Sequence, residues 1–349
     1  MSQSTISPKR VAVRSLRQDP AELDADAPPP DPMTVADAKA TKDEILEWFG
    51  PHKLKRENLD WSVIAWMSLV HVGALAAPFY FNWTALAVCV VFHWLTCSIG
   101  ICLGFHRMLS HRSLKMNPAA RYIPILSGVI AGEGTPLRWA AVHRVHHAQS
   151  DHDGDPHSPV EWGWWGHLWW MFVKQGRDFE QKMYNKYVPD LVKDPFLQFV
   201  ERTYPLWLFG SAGLFALAGW ATGIGAIEMV VWGVCVRLVA AYHTTWFVNS
   251  ATHLWGYRNY ETTDHSRNLW WVGLLAYGEG WHNNHHAFPA CARAGHKWWE
   301  FDATFLAIRF FQKLGLAHDV KDEIPQSRNN VKPKGPKKPS KVAKSTVAS

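Results

Sequence analysis

The sequence predicts an all-α integral membrane protein with four transmembrane helices under a cytosolic helical cap, and three observations carry that expectation. Four apolar stretches, residues 61–81, 83–103, 205–223 and 226–247, are each long enough to cross a bilayer as a helix, which takes about 20 residues. Lys and Arg avoid the short connections inside each pair of stretches and crowd the segments outside them. By the positive-inside rule, both termini and the long central segment then lie on the cytoplasmic side. Histidines gather in clusters within those cytoplasmic segments, and an even number of spans returns the chain to the same face each time. The chain has 21 Trp in 349 residues but a mean hydropathy of only −0.17, so its apolar residues must be segregated into blocks.

Taken in order, residues 1–50 are rich in Ser, Pro, Ala and Asp and lack the apolar core of a signal peptide. They read as a disordered extension closing in a short helix over 41–49. Lys53, Lys55 and Arg56 then form a cytoplasmic juxtamembrane segment. Residues 51–325 make one membrane domain. Two apolar runs, 122–131 and 269–277, are too short to span and are expected as interfacial or buried helices. Trp162, Trp164, Trp165, Trp169 and Trp170, with Met171 and Phe172, read either as an interface-seated helix or as core aromatics. Arg237 stands in the middle of the fourth span, where an ionisable group is costly and needs a partner or a role. Residues 326–349 form a disordered polybasic tail whose six Lys and one Arg account for the whole formal charge of +6, so no nucleic-acid partner follows from it. Five cysteines match no CxxC pair or iron–sulfur spacing and read as small buried hydrophobes.

The chemistry is carried by histidine. His143, His146 and His147 share a spacing with His282, His285 and His286. Residues three and four apart lie on one helix face, so each trio is expected to aim its imidazoles at one metal, and imidazole suits iron, zinc, copper or nickel. His106 and His111 stand five apart, about 140° around an ideal helix. Both reach one centre only if the helix ends or distorts between them. Carboxylates orient metal-bound imidazoles, and Glu279, Asp155, Glu133 and Asp264 are candidates by proximity. His253, at the end of the last span, is on spacing alone equally a helix terminator facing head groups. Two other readings compete: a haem electron carrier with His71 and His93 as axial ligands, and a metal transporter. The first strands the clustered histidines, and the second needs ionisable residues along the spans.

His106-Arg-Met-Leu-Ser-His111, His143-Arg-Val-His-His147 and His282-Asn-Asn-His-His286 stand with Gly278-Glu279-Gly280-Trp281 before the third box. Asp155-Pro156-His157 follows the second box, and Asn249-Ser-Ala-Thr-His253 ends the last span. With these motifs the chain resembles the membrane fatty acid desaturases, closest to their Δ9-type branch, from about residue 60 to about 325. The resemblance implies a non-haem di-iron centre held by His106, His111, His143, His146, His147, His253, His282, His285 and His286, with Asn249 holding an iron-bound water. It implies Trp139 beside the kink of an acyl tunnel, with Glu279 and Asp155 behind the ligands. The implied reaction inserts a cis double bond, Δ9 by that branch, into a long saturated acyl chain with O2 and two electrons. Zinc is redox-silent, so iron follows from the reaction. The substrate would be a long-chain acyl-lipid, reached laterally from the membrane, or acyl-CoA, with membrane lipid around the spans. With no fused haem box and no iron–sulfur cysteines, ferredoxin or cytochrome b5 would supply electrons. A hydroxylase of alkane, sterol or carotenoid type on the same scaffold is the alternative, and the Gly-Glu-Gly-Trp and Asn-Ser-Ala-Thr-His signatures favour desaturation.

Overall fold

A computed structural model describes residues 49–160 and 162–324; the extension over 1–48 and the tail over 325–349 lie outside them, together with all but the last residue of the short helix expected at 41–49. The described residues are mostly helical, and five of the helices begin on a side-chain cap. Asp60 accepts from the N–H groups of Ser62 and Val63 and opens α1, Trp61–Leu75. This helix is 15 residues long, shorter than the expected 61–81. The ring of Pro78 cannot continue it, so residues 76–80 turn instead. Asn82 caps α2, which runs unbroken over Trp83–Ser110. It passes the expected end at 103 because its last turns enter the protein interior, where every residue from Thr96 to Ser110 is buried.

Next come α3 (Tyr122–Val129) and α4 (Pro136–Gln149). Thr135 caps α4, accepting from the Arg138 N–H, and Pro136 fills a first-turn position that needs no donor. The Trp-rich segment forms a five-residue helix, α5 (Gly163–His167), and a separate 3-10 turn over Trp169–Phe172. Trp165 is buried there, with its indole N–H donating to the Pro156 carbonyl, while Trp164 is exposed. After α6 (Arg177–Tyr187), Asp194 caps α7, Pro195–Thr222, which starts ten residues before the expected 205 and runs straight through Pro205. Then α8 occupies Ala226–Leu254, followed by α9 (Trp270–Leu275), α10 (His282–Ala287) and α11 (Ala303–Lys313). An antiparallel pair, β1 (Lys115–Met116) and β2 (Ala317–His318), ties the C-terminal segment under the end of α2.

Among the described residues, three helices, α2, α7 and α8, are long and apolar enough to cross a membrane; α1 is apolar and shorter. Leu69 and Val72 of α1 and Leu206, Phe209, Leu214 and Leu217 of α7 all face outward, an apolar surface suited to lipid and not to water. Met67, Val70, Ala85, Phe215, Leu238 and Trp246 pack the spans together. A larger core, with Leu103, Phe105, Ile125, Val145, Met183 and Val200, joins α2 to α3, α4, α6 and the start of α7. Arg237 is buried, and its partners are the Gly233 carbonyl, the Thr96 hydroxyl and the face of Phe215. The axial-haem pairing fails. His71 meets His243 at 3.4 Å, whereas His93 meets the Tyr277 hydroxyl at 2.7 Å.

Candidate metal centre

The end of α2 resolves the awkward spacing of the first box. From Leu95 this helix is π-helical, and the His111 N–H donates to the His106 carbonyl five residues back, which brings both imidazoles to one side. The second box lies on α4 and the third on α10. Two asparagines hold α10, a helix of six residues, in place. Asn268 Oδ1 accepts from the N–H groups of Asn283 and Asn284, and Asn283 Oδ1 accepts from those of Asn259 and Tyr260. Asn284 donates to Glu300 and the Ala294 carbonyl and accepts from Asn259 and Asn268. The Gly-Glu-Gly-Trp turn is equally constrained. Gly278 has φ of 120°, and a Cβ on Gly280 would stand 2.0 Å from the Gly273 nitrogen.

These elements bring nine histidines into two adjoining sets, one of five (His106, His111, His143, His147, His285) and one of four (His146, His253, His282, His286), with one ring nitrogen from each within 4.8 Å of the others in its set. The Nε2 atoms approach at 2.7 Å for His111 and His143, 2.9 Å for His147 and His285, 3.0 Å for His253 and His282 and 3.4 Å for His146 and His286. Bound to one ion at about 2.1 Å, adjacent nitrogens would lie about 3 Å apart, so the sets have the dimensions of coordination shells. The expectation that each trio serves one metal is corrected. Successive residues diverge by about 100° around a helix, so His146 and His147 face different sets, as do His285 and His286, and α4 and α10 each contribute to both.

Four carboxylates stand behind the imidazoles at Nδ1. Asp155 meets His146 at 3.0 Å, Asp264 meets His286 at 2.7 Å and Asp151 meets His253 at 2.6 Å. Glu279 Oε2 lies 2.9 Å from His106 Nδ1, off the line of a good hydrogen bond, and its Oε1 accepts from the Arg107 guanidinium. Burial alone would raise all four carboxyls. The His286 charge and the hydroxyls of Ser266 and Thr262 outweigh it for Asp264, and His253 does so for Asp151, so both sit below the ordinary range. Glu279 is held down to about 2 against its burial by Arg107 and His106. Asp155, Asp264 and Asp151, each hydrogen-bonded at Nδ1, fix the tautomer that turns Nε2 toward the centre.

Asp151 was not singled out from the sequence. It sits in a left-handed conformation, φ 58°, just past α4 and meets a histidine 102 residues away, a link no local spacing reports. Arg107 was also missed; it joins Glu279 to Asp302, the cap of α11. Glu133, by contrast, does not back a histidine. It accepts from the Trp139 indole and the Thr245 hydroxyl.

Trp139 stacks on His143 with ring centroids 5.0 Å apart. It lies where a cavity of about 530 Å³ meets a smaller one of about 40 Å³, and Asn249, His143 and Thr245 line both. The smaller space ends against Cys97, Ile101, Cys102 and Ala276. The sequence matches the profile described as fatty acid desaturase over residues 81–319. The chain belongs to the fatty acid desaturase family. It is 43% identical over 278 residues to the sn-2 palmitoyl-lipid 9-desaturase of Nostoc, covering 79% of this chain and 95% of that one. It is also 43% identical over 265 residues to the sn-1 stearoyl-lipid 9-desaturase of Synechocystis (75% and 80%). The acyl-CoA C20 Δ5-desaturase of Anemone leveillei is 37% identical over 299 residues (83% and 93%). This desaturase is therefore an O2-dependent oxidoreductase of acyl chains in a family that uses iron.

Proposed function

We propose that this desaturase holds two iron ions, one in each histidine set, and places a cis double bond at carbon 9 of a lipid-bound saturated chain. The observation that carries the reading is the convergence of nine imidazoles in two sets beside an apolar cavity. Asp151, Asp155, Asp264 and Glu279 supply four negative charges behind the ligands, which two divalent cations would balance. Iron in this site would supply the O2-derived oxidant that an unactivated methylene requires. The protein's share is placement. Trp139, pinned by its stack on His143 and its bond to Glu133, bends the path of the chain, and a chain held bent yields the cis isomer. Asn249, on the wall shared by both cavities, would hold a metal-bound water.

The relatives named for sn-1 and sn-2 lipid 9-desaturation favour carbon 9 and a lipid-bound substrate. Two arginines, Arg138 before the second box and Arg144 within it, are the cations a nucleotide head would need, and both are engaged. Arg144 makes a two-pronged pair with Asp190 and binds three carbonyls, and Arg138 pairs with Glu180 at 2.6 Å. Electrons would enter from ferredoxin or cytochrome b5 on the cytoplasmic side. The test is expression in a host lacking unsaturated fatty acids, with gas chromatography of the derivatised lipids. A new 9-monoene is expected, whereas a hydroxylated chain would overturn the reading.

A further inference from the structure

Three histidines outside the nine of the metal centre meet where α1, α5 and α8 come together. His71 Nε2 lies 3.4 Å from His243 Nε2, and His243 Nδ1 lies 3.2 Å from His167 Nε2. The protons on this chain can be placed from both ends. The Ser250 hydroxyl donates to the Trp246 carbonyl at 2.7 Å, so its oxygen accepts the Nδ1 proton of His167 at 3.0 Å. The Nε2 of His167 is then left with a lone pair, and His243 must carry its own proton on Nδ1 to bond it. At the other end, the Met67 carbonyl takes the Nδ1 proton of His71 at 2.7 Å. As neutral rings, His71 and His243 therefore aim two lone pairs at each other, and a cation belongs between them. A shared proton draws two nitrogens to about 2.7–3.2 Å. Two nitrogens bound to one ion at about 2.0–2.1 Å reach the 3.4 Å found here at an angle of about 110°, the tetrahedral value. His146 and His286 of the metal centre stand at the same 3.4 Å.

We propose that His71 and His243 form a further metal site, separate from the nine-histidine centre, that takes an exchangeable tetrahedral ion of the zinc class. Imidazole is a ligand zinc accepts readily. Both rings also have the support that metal-bound imidazoles use, a partner at the far nitrogen: the Met67 carbonyl for His71 and the His167 ring for His243. The Trp246 ring walls the site, stacked 6.4 Å from His71 and edge-on 4.9 Å from His243. With two protein ligands in place of the four of a closed structural site, the ion keeps positions for water and exchanges. Because its ligands stand on different helices, it ties α1 to α8. Met67, one turn before His71, lines the larger cavity with Val63 and Trp66, so the tie bears on that wall.

The test is equilibrium dialysis of the purified iron-loaded protein against buffered micromolar Zn2+, with zinc and iron both counted by elemental analysis. The wild type is expected to take up a single zinc ion per chain while its iron content stays constant. His71→Ala and His243→Ala are each expected to lose that zinc and keep their iron, and the retained iron certifies that the variants fold. His167→Ala leaves both ligands but frees the His243 ring, and is expected to weaken zinc binding about 10- to 100-fold. Zinc is expected to raise the melting temperature of the wild type, since it binds the folded chain, and to leave that of His71→Ala unchanged. Equal zinc uptake by the wild type and both alanine variants overturns the proposal, as does a wild type that takes up none. Zinc that enters only as iron leaves lies in the nine-histidine centre, and this result overturns it too.

Discussion

Asp264 illustrates what one carboxylate contributes at the residue scale. It takes hydrogen bonds from Thr262 and Ser266 and holds His286 at 2.7 Å, so its removal frees an imidazole to rotate. Asp264→Asn is expected to lower iron affinity about 10- to 100-fold, read as iron retained after dialysis against a graded chelator. His146→Ala and His285→Ala remove a ligand from different sets and are each expected to abolish desaturation with membrane insertion intact. His318→Ala, on the exposed side of β2, is the silent control. Glu133 gives a pH prediction. Burial raises its carboxyl to about 7, against the bonds from Thr245 and Trp139 that lower it. A pKa above the unfolded value means the fold favours the protonated acid. That stability is fully present below about pH 4.5 and is lost as pH rises through 7. The melting temperature of the wild type relative to Glu133→Gln is therefore expected to fall between pH 6 and pH 8. A constant difference across that range contradicts a titrating Glu133.

At the scale of elements, the boxes were legible because their spacing is local, and the way they are shared was not. Reading His143, His146 and His147 as one trio follows from helix geometry, but which imidazole meets which set depends on α10 arriving beside α4 from 140 residues away. The ends of helices show the same division. Asp60, Asn82 and Thr135 act locally as caps, whereas the extension of α2 beyond 103 depends on buried partners from distant segments. His106 and Arg107 find theirs in Glu279 and Asp302. The distortion that the first box requires is readable as a necessity, and its form, a π-helical stretch, is a product of packing. The turn between α9 and α10 offers a test. Gly280→Ala would push a methyl into the Gly273 backbone, an overpacking that costs about 1–3 kcal/mol. Both the melting temperature and the iron content are expected to drop, since Glu279 moves with the turn. Unchanged iron content would show that Glu279 holds His106 independently of it.

At the scale of the whole molecule, α1 decides how the chain sits in the membrane. Its 15 residues reach about 22 Å, short of an apolar layer of about 30 Å. Its two ends are nonetheless fixed at opposite levels. At the start, the Asp60 N–H donates to the Phe172 carbonyl and the Lys174 N–H to that of Asn58, binding α1 to the cap. At the far end, the Trp232 indole donates to the Tyr80 carbonyl, so the turn over 76–80 meets the beginning of α8. The proposed topology has four spans carrying the chain between a cytoplasmic side and two short outer connections, and it is open to test. Single cysteines placed in a variant free of the five native ones can report this with a membrane-impermeant thiol reagent. Phe79→Cys, at a position 85% exposed, and Ile224→Cys, between α7 and α8, are expected to label only from outside intact cells. Trp298→Cys, at a cap position 93% exposed, is expected to label only in inverted vesicles. If Phe79→Cys labels only in inverted vesicles while Ile224→Cys labels from outside, α1 and α2 do not form an outward hairpin, and the first pair of spans must be replaced by a re-entrant one.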